Sequence, residues 1–206
     1  MAQELKINPW LKIWTRPRET IRAIVQSNTR HALPLLYWLY GLPLTGVFAL
    51  AFLGRVPTFA LVSGVVVLAF LVGWLGINVP AALFYWTGKW IKGVGTFSTV
   101  RAAVAWSTIP AIVGTFLQLI LFWVFGAQMM MQGTQPEHIS STAVGFFLLA
   151  SLVQYVLFFW GFVILLLALG SVQRFGVLKA LLNVFLPPVV IMIGVSVILW
   201  LVSLFH

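Results

Sequence analysis

Residues 59–87 read FALVSGVVVLAFLVGWLGINVPAALFYWT, a run with no charged side chain. A helix needs about twenty apolar residues to cross the hydrocarbon core of a bilayer, and this run exceeds that. It lacks the apolar/polar alternation of a barrel strand, so a transmembrane β-barrel is excluded. Four further apolar blocks flank it, at roughly 33–53, 102–126, 143–169 and 180–205. Hydrophobic residues make up 62% of the 206-residue chain and charged residues 7%. Soluble domains carry about 25% charged residues, so no soluble core accounts for this composition. The sequence predicts an all-α protein: a polytopic transmembrane helical bundle with five spans over residues 33–206, preceded by an amphipathic helical segment over residues 1–32.

The charges lie between the blocks, and their distribution sets the expected orientation. Lys6, Lys12, Arg16, Arg18, Arg22 and Arg30 precede the first block. Lys89, Lys92 and Arg101 follow the second, and Arg174 and Lys179 follow the fourth. The alternate gaps hold Arg55 alone. Basic residues are retained on the cytoplasmic side, so the N-terminus is expected inside and His206 outside. The net charge of +9 is accounted for by these loops, and nucleic acid is not an expected partner. Cysteine is absent, which removes disulfides and thiolate chemistry. The polar, amphipathic start does not read as a cleavable signal peptide.

Within residues 1–32, Asn8-Pro9 is a helix start, with Asn as cap and Pro in the first helical position. A second start stands at Thr15-Arg16-Pro17, after which Ile21, Ile24 and Val25 recur at helical spacing. Two arrangements fit this pattern. One is a helix lying in the lipid headgroups, and the other is a helix packed on the cytoplasmic ends of the spans. Trp10, Trp14, Arg16, Arg18 and Arg22 are the candidate lipid- or partner-binding residues. Anionic membrane lipids are the expected partner, with a protein partner or a second copy of the chain also open.

Side chains able to do chemistry are few. The chain has no Asp, and its acids are Glu4, Glu19 and Glu137. His31, His138 and His206 stand at or outside the block boundaries. No block offers a nucleophile with a base, or a carboxylate or His at depth, so no enzyme is expected. No metal or cofactor is expected either, since no pair of residues shows ligand spacing. What the blocks contain is neutral polar residues and prolines. These are Asn78-Val79-Pro80, Ser107-Thr108-Ile109-Pro110, and Asn183 followed by Pro187-Pro188. Proline frees a carbonyl one turn earlier, and in lipid that group must find a partner or line a cavity. A cytoplasm-facing cavity would draw on Asn78, Pro80, Ser107, Pro110, Gln154, Asn183 and Pro188, which suits a permease for a lipid or small molecule. The plainer expectation is proline kinks satisfied by neighbouring Ser, Thr and Asn.

Other features have simpler readings. Gln118 and Gln154 lie deeper and are suited to hydrogen bonds across helices. Gly41 with Thr45, and Gly73 with Gly76, permit close helix contact. Trp38, Trp86, Trp90 and Trp200 fit an interfacial aromatic belt, and Met129-Met130-Met131 an outer edge. At an offset of 78, Val94, Phe97, Ala102 and Pro110 fall on Val172, Phe175, Ala180 and Pro188, which hints at a duplicated hairpin.

The run from Asn8 to Arg22, NPWLKIWTRPRETIR, resembles the start of bacterial members of the Ypt-interacting protein (Yip) family. Ala105-Trp106-Ser107-Thr108-Ile109-Pro110 is similar to that family's aromatic-Ser-x-x-Pro pattern at the start of the third span. The resemblance implies five spans with the N-terminus inside, and a non-enzymatic adaptor that organises membranes or trafficking. Eukaryotic members contact Rab-type GTPases in early secretory membranes. They carry an Asp-Leu-Tyr-Gly-Pro motif, which a chain without Asp does not contain. The placement implied here is therefore a bacterial cytoplasmic membrane.

Overall fold

Asn8 opens the first helix as the Asn-Pro pair predicts. In the computed structural model, which describes residues 7–50, 57–121 and 141–203, its Oδ1 accepts from Trp10 N at 3.1 Å. Helix α1 spans Pro9–Lys12, and α2 spans Pro17–Ser27 behind the Arg16-Pro17 start. The rest of the described chain is helical as well: α3 Leu33–Leu50, α4 Thr58–Trp90, α5 Phe97–Ser107, α6 Ile109–Leu121, α7 Ser141–Gln173 and α8 Val177–Ser203.

Among the described residues, four helical stretches are long and apolar enough to cross a membrane: Thr58–Trp90, Phe97–Ile120, Val144–Gln173 and Val177–Ser203. They coincide with the second to fifth predicted spans. The predicted first span meets α3, and its residues 51–53 lie outside the described part. So do Lys6, Gly54-Arg55-Val56, Met129 to Met131, Glu137, His138 and His206.

The helices run past the span limits read from charge. Lys89 lies in the last turn of α4, Arg101 lies within α5, and Lys179 lies within α8. A cation near a helix C-terminus is favourable, and long basic side chains extend along apolar surface, so charge does not end a helix. The prolines divide into two groups. Helix α4 continues through Pro80, and α8 continues through Pro187 and Pro188. Among the described residues only the third predicted span is interrupted, at Thr108, whose Oγ1 donates to Ala105 O at 2.6 Å. Pro110 has no N–H to give the Trp106 carbonyl, and the helix restarts where Ile112 N donates to Thr108 O at 2.8 Å. The family-like Trp-Ser-Thr-Ile-Pro motif is thus the helix break itself.

The chain forms two compact units. One comprises Arg30–Ile77 and Ala105–Ile164; the other comprises Met1–Thr29, Asn78–Val104 and Leu165–His206. In the first, glycine lets α3 and α4 meet backbone to backbone. A Cβ at Gly41 would overlap the Ala69 carbonyl, and one at Gly73 would overlap that of Tyr37. Tyr37 packs edge-on against Phe70, with ring centroids 5.8 Å apart. Trp106 is fully buried, with the His31 ring stacked 6.0 Å away. Gln118 Nε2 donates to Ser151 Oγ at 3.2 Å, joining α6 to α7. Elsewhere large apolar side chains point outward, as along α8 from Val189 to Val202, the inverse of a soluble fold.

Candidate functional site

The second unit collects the polar and basic residues. Its frame is set by how two long helices end. At the end of α4, Lys92 N donates to Lys89 O at 3.1 Å and Gly93 N donates to Gly88 O at 2.7 Å. At the end of α7, Phe175 N donates to Gly170 O at 2.9 Å. These bonds place one residue of each turn in the left-handed region, Lys92 at φ 69° and Arg174 at φ 57°. Glycine usually fills that position, and a residue with a Cβ costs about 1–2 kcal/mol there.

Gln173 ties the two ends together. Its side chain is 2% exposed, and its Nε2 donates to Phe84 O at 3.1 Å. Its main-chain carbonyl accepts from Val94 N at 3.4 Å. The amide fits only because Gly88 and Gly93 lack side chains, since a Cβ at either would overlap it. Gly95 adds a third such contact, a Cβ there meeting Gln173 Cγ at 3.3 Å. Ser171 and Arg174 stand on either side of this seat in the chain.

Helix α2 buries Pro17, Thr20, Ile21 and Ile24, and Ile13 ahead of it is also buried. Its apolar face is covered by protein and is not free to enter lipid. The buried residues of α2 therefore pack against the rest of the chain. The three arginines then diverge. Arg16 pairs with Glu19 at 3.5 Å on the exposed side, and Arg18 is exposed. Arg22 is exposed as well but is tied to the rest of the unit, its Nε donating to Ser171 Oγ at 3.0 Å. Trp10 and Trp14 are half-buried.

Arg22 opens onto a cavity of about 440 Å³, lined by Arg22, Val25, Gln26, Thr99, Ser171, Val172 and Arg174. Thr99 belongs to the start of α5, where it and Thr96 cap each other. Thr96 N donates to Thr99 Oγ1 at 3.0 Å, and Thr99 N donates to Thr96 Oγ1 at 3.4 Å. Two guanidinium groups, an amide and hydroxyls therefore line the cavity, and no carboxylate does. Glu19 is the only acid among the described residues, and it lies with Arg16. Such a lining attracts anions. Nearby cations are otherwise engaged: Lys89 Nζ sits 5.3 Å from the Tyr85 ring centre, and the Arg101 guanidinium 5.4 Å from that of Phe97.

The residues expected to form a proline-lined cavity are divided between the units. Asn78, Pro80, Asn183 and Pro188 belong to this unit. Asn183 is fully buried; Thr87 Oγ1 donates to its Oδ1 at 2.7 Å, and its Nδ2 has no partner. Ser107, Pro110 and Gln154 belong to the other unit, where Gln154 Oε1 is buried beside Gly114 without a partner. None of these seven lines the 440 Å³ cavity, and of the predicted basic residues only Arg22 does. Gln26, Thr99, Ser171 and Arg174 were not singled out by sequence reasoning as site residues. The available signal was the single basic residue at the end of the fourth block, which reads equally well as a topology marker.

A family model described as Yip1 domain matches residues 11–199. No curated protein and no solved structure matches the chain.

Proposed function

Because the chain belongs to the Yip1 domain family, a multi-pass membrane family not known for catalysis, we propose that it is a non-enzymatic membrane organiser that engages anionic lipids or partner proteins from the cytoplasmic face. It would sit in a bacterial cytoplasmic membrane with five spans, α3 being the first, the N-terminus inside and His206 outside. The observation that carries this reading is the gathering of Arg22, Arg174 and their hydroxyl neighbours around one cavity. In the proposed orientation that cavity faces the cytoplasm, where anionic headgroups attract basic side chains by about 1 kcal/mol each. Neutralising Arg16, Arg18 and Arg22 together to Gln is expected to lower retention of phosphatidylglycerol by the detergent-purified protein about a hundredfold. Unchanged retention would remove the lipid reading. Reporter fusions at Lys92 and at His206 test the orientation, and the two must report opposite sides.

A permease is the second reading, favoured by the buried, unpartnered amide atoms of Asn183 and Gln154. The chain lacks cysteine, so single Cys substitutions at Asn78, Ser107 and Asn183 can be labelled without background. Reaction with a water-soluble maleimide supports an aqueous path, and full protection of all three excludes it.

A further inference from the structure

We propose that the cavity formed by α2, α5 and α7 binds a single phosphoryl group, gripped between the guanidinium groups of Arg22 and Arg174. The proposal rests on the reading that this face of the protein meets anions, and it names the place and the chemistry.

The charge balance is the first argument. Neither arginine has a carboxylate partner among the described residues, since Glu19 lies with Arg16. Arg22 commits only its Nε, to Ser171 Oγ, which leaves the rest of its fork for a ligand. Ser171 Oγ accepts from Arg22, so its own proton remains to be donated. The amide of Gln26 adds further donors. Thr99 is the exception, its hydroxyl donating to Thr96 O at 2.9 Å. One carboxylate is satisfied by one guanidinium fork. Two forks with a hydroxyl and an amide suit a tetrahedral group with several oxygens and more than one negative charge.

The backbone at Arg174 is the second, independent argument. An arginine occupies a left-handed helix-end position that glycine would fill without strain, and its side chain lines the cavity. Strain retained at a polar cavity points to use of the side chain. The third argument is the seat of Gln173, which anchors the chain beside the arginine. At about 440 Å³ the cavity falls within the roughly 300–1,000 Å³ typical of small-ligand sites, larger than a phosphate ion needs alone. Val25 and Val172 offer an apolar edge for whatever carries the phosphoryl group.

A phosphoryl group could come from a lipid headgroup or from a soluble phosphate. The test uses the full-length protein in phosphatidylcholine nanodiscs, titrated with inorganic phosphate and glycerol 3-phosphate, and separately loaded with phosphatidic acid. Arg22→Gln and Arg174→Gly are each expected to lower affinity tenfold or more for the probe that binds. Lys12→Gln, exposed at the end of α1 and outside the cavity, should stay within twofold. Arg174→Gly also removes the backbone strain, so it should melt no lower than the parent, which separates lost binding from lost folding. Binding of phosphatidic acid alone assigns a lipid, and binding of the soluble probes assigns a soluble phosphate; either supports the site. Parent-like affinity in Arg174→Gly overturns it. If Lys12→Gln weakens binding as much as Arg22→Gln, diffuse surface charge is responsible: the cavity is refuted while the broader anion-binding reading stands. If the parent binds none of the probes, the cavity is refuted, and retention of phosphatidylglycerol by the same protein decides whether the broader lipid reading falls with it.

Discussion

Helices α4 and α7 close with the same backbone device but put it to different use. Each ends on a basic residue in the left-handed region, Lys92 in one and Arg174 in the other. After Lys92 comes Gly93, whose bare backbone is filled at once by Gln173 and the Phe175 ring. Two residues after Arg174 comes Gly176, and a Cβ there would meet nothing within 4 Å. The first turn is a receptor for another part of the chain, while the second is open and its basic residue lines the cavity. Similar helix ends therefore acquire different roles from what packs on them, and charge pattern alone does not tell the two apart.

The largest expected break in this comparison is Gly93→Ala. The new methyl would meet the Gly88 carbonyl at 2.9 Å and the Phe175 ring at 2.8 Å, and would overlap the Gln173 amide. A backbone carbonyl cannot swing aside, so a loss of about 2–3 kcal/mol is expected, seen as a lower melting temperature in detergent. Gly176→Ala at the open turn should stay within about 0.5 kcal/mol. Equal melting of the two variants would mean the turns do not differ as described.

Removing the other half of the contact should cost somewhat less. Gln173→Ala deletes the bond to Phe84 O and the packing against three glycines, a loss of about 1–2 kcal/mol. Because Gln173 anchors the chain beside Arg174, the same variant should also weaken phosphoryl binding in the nanodisc titration. Lower stability with unchanged binding would separate the seat from the cavity.

Lys92→Gly and Arg174→Gly sharpen the comparison further. Each relieves about 1–2 kcal/mol of backbone strain and forfeits about 0.3–1 kcal/mol of cation–dipole attraction. Both should therefore melt slightly higher than the parent, by about 0.5–1 kcal/mol in stability. Only Arg174→Gly should lose phosphoryl binding. Loss of binding in Lys92→Gly as well would show that the two turns act alike.

How much of this was legible beforehand depends on the kind of interaction. The apolar blocks announced α4 to α8 because burial in lipid demands composition, which a sequence displays directly. The helix starts at Asn8-Pro9 and Arg16-Pro17 were legible for the same reason, being local chemistry. The effect of proline was not. Pro80, Pro187 and Pro188 sit within continuous helices, whereas the helix carrying Pro110 breaks at Thr108. All four lack the same N–H, so which carbonyl finds another partner depends on tertiary neighbours that spacing does not reveal. The cavity was also hidden, because Arg22, Thr99 and Ser171 are far apart in the chain. The left-handed turn at Arg174 was concealed by the absence of the glycine that usually marks it.

The smallest expected effect concerns the seam between α4 and α8. Thr87 Oγ1 has one proton and three acceptors in reach, Asn183 Oδ1 at 2.7 Å, Leu83 O at 2.9 Å and Asn183 O at 3.2 Å. The shortest contact takes the proton, so Thr87 binds α8 in preference to its own helix. Thr87→Val keeps the shape and removes the donor. Interhelical hydrogen bonds in membrane proteins contribute about 0.6 kcal/mol on average, because the separated helices also find partners. Asn183 is fully buried, so a loss of about 0.6 kcal/mol is expected, below that of Gln173→Ala and of Gly93→Ala. A melting temperature equal to the parent's would show that the α4–α8 contact does not depend on this bond. Such a result would leave Gln173 as the side chain that ties the end of α4 to that of α7, and the difference between the two helix ends would rest on it.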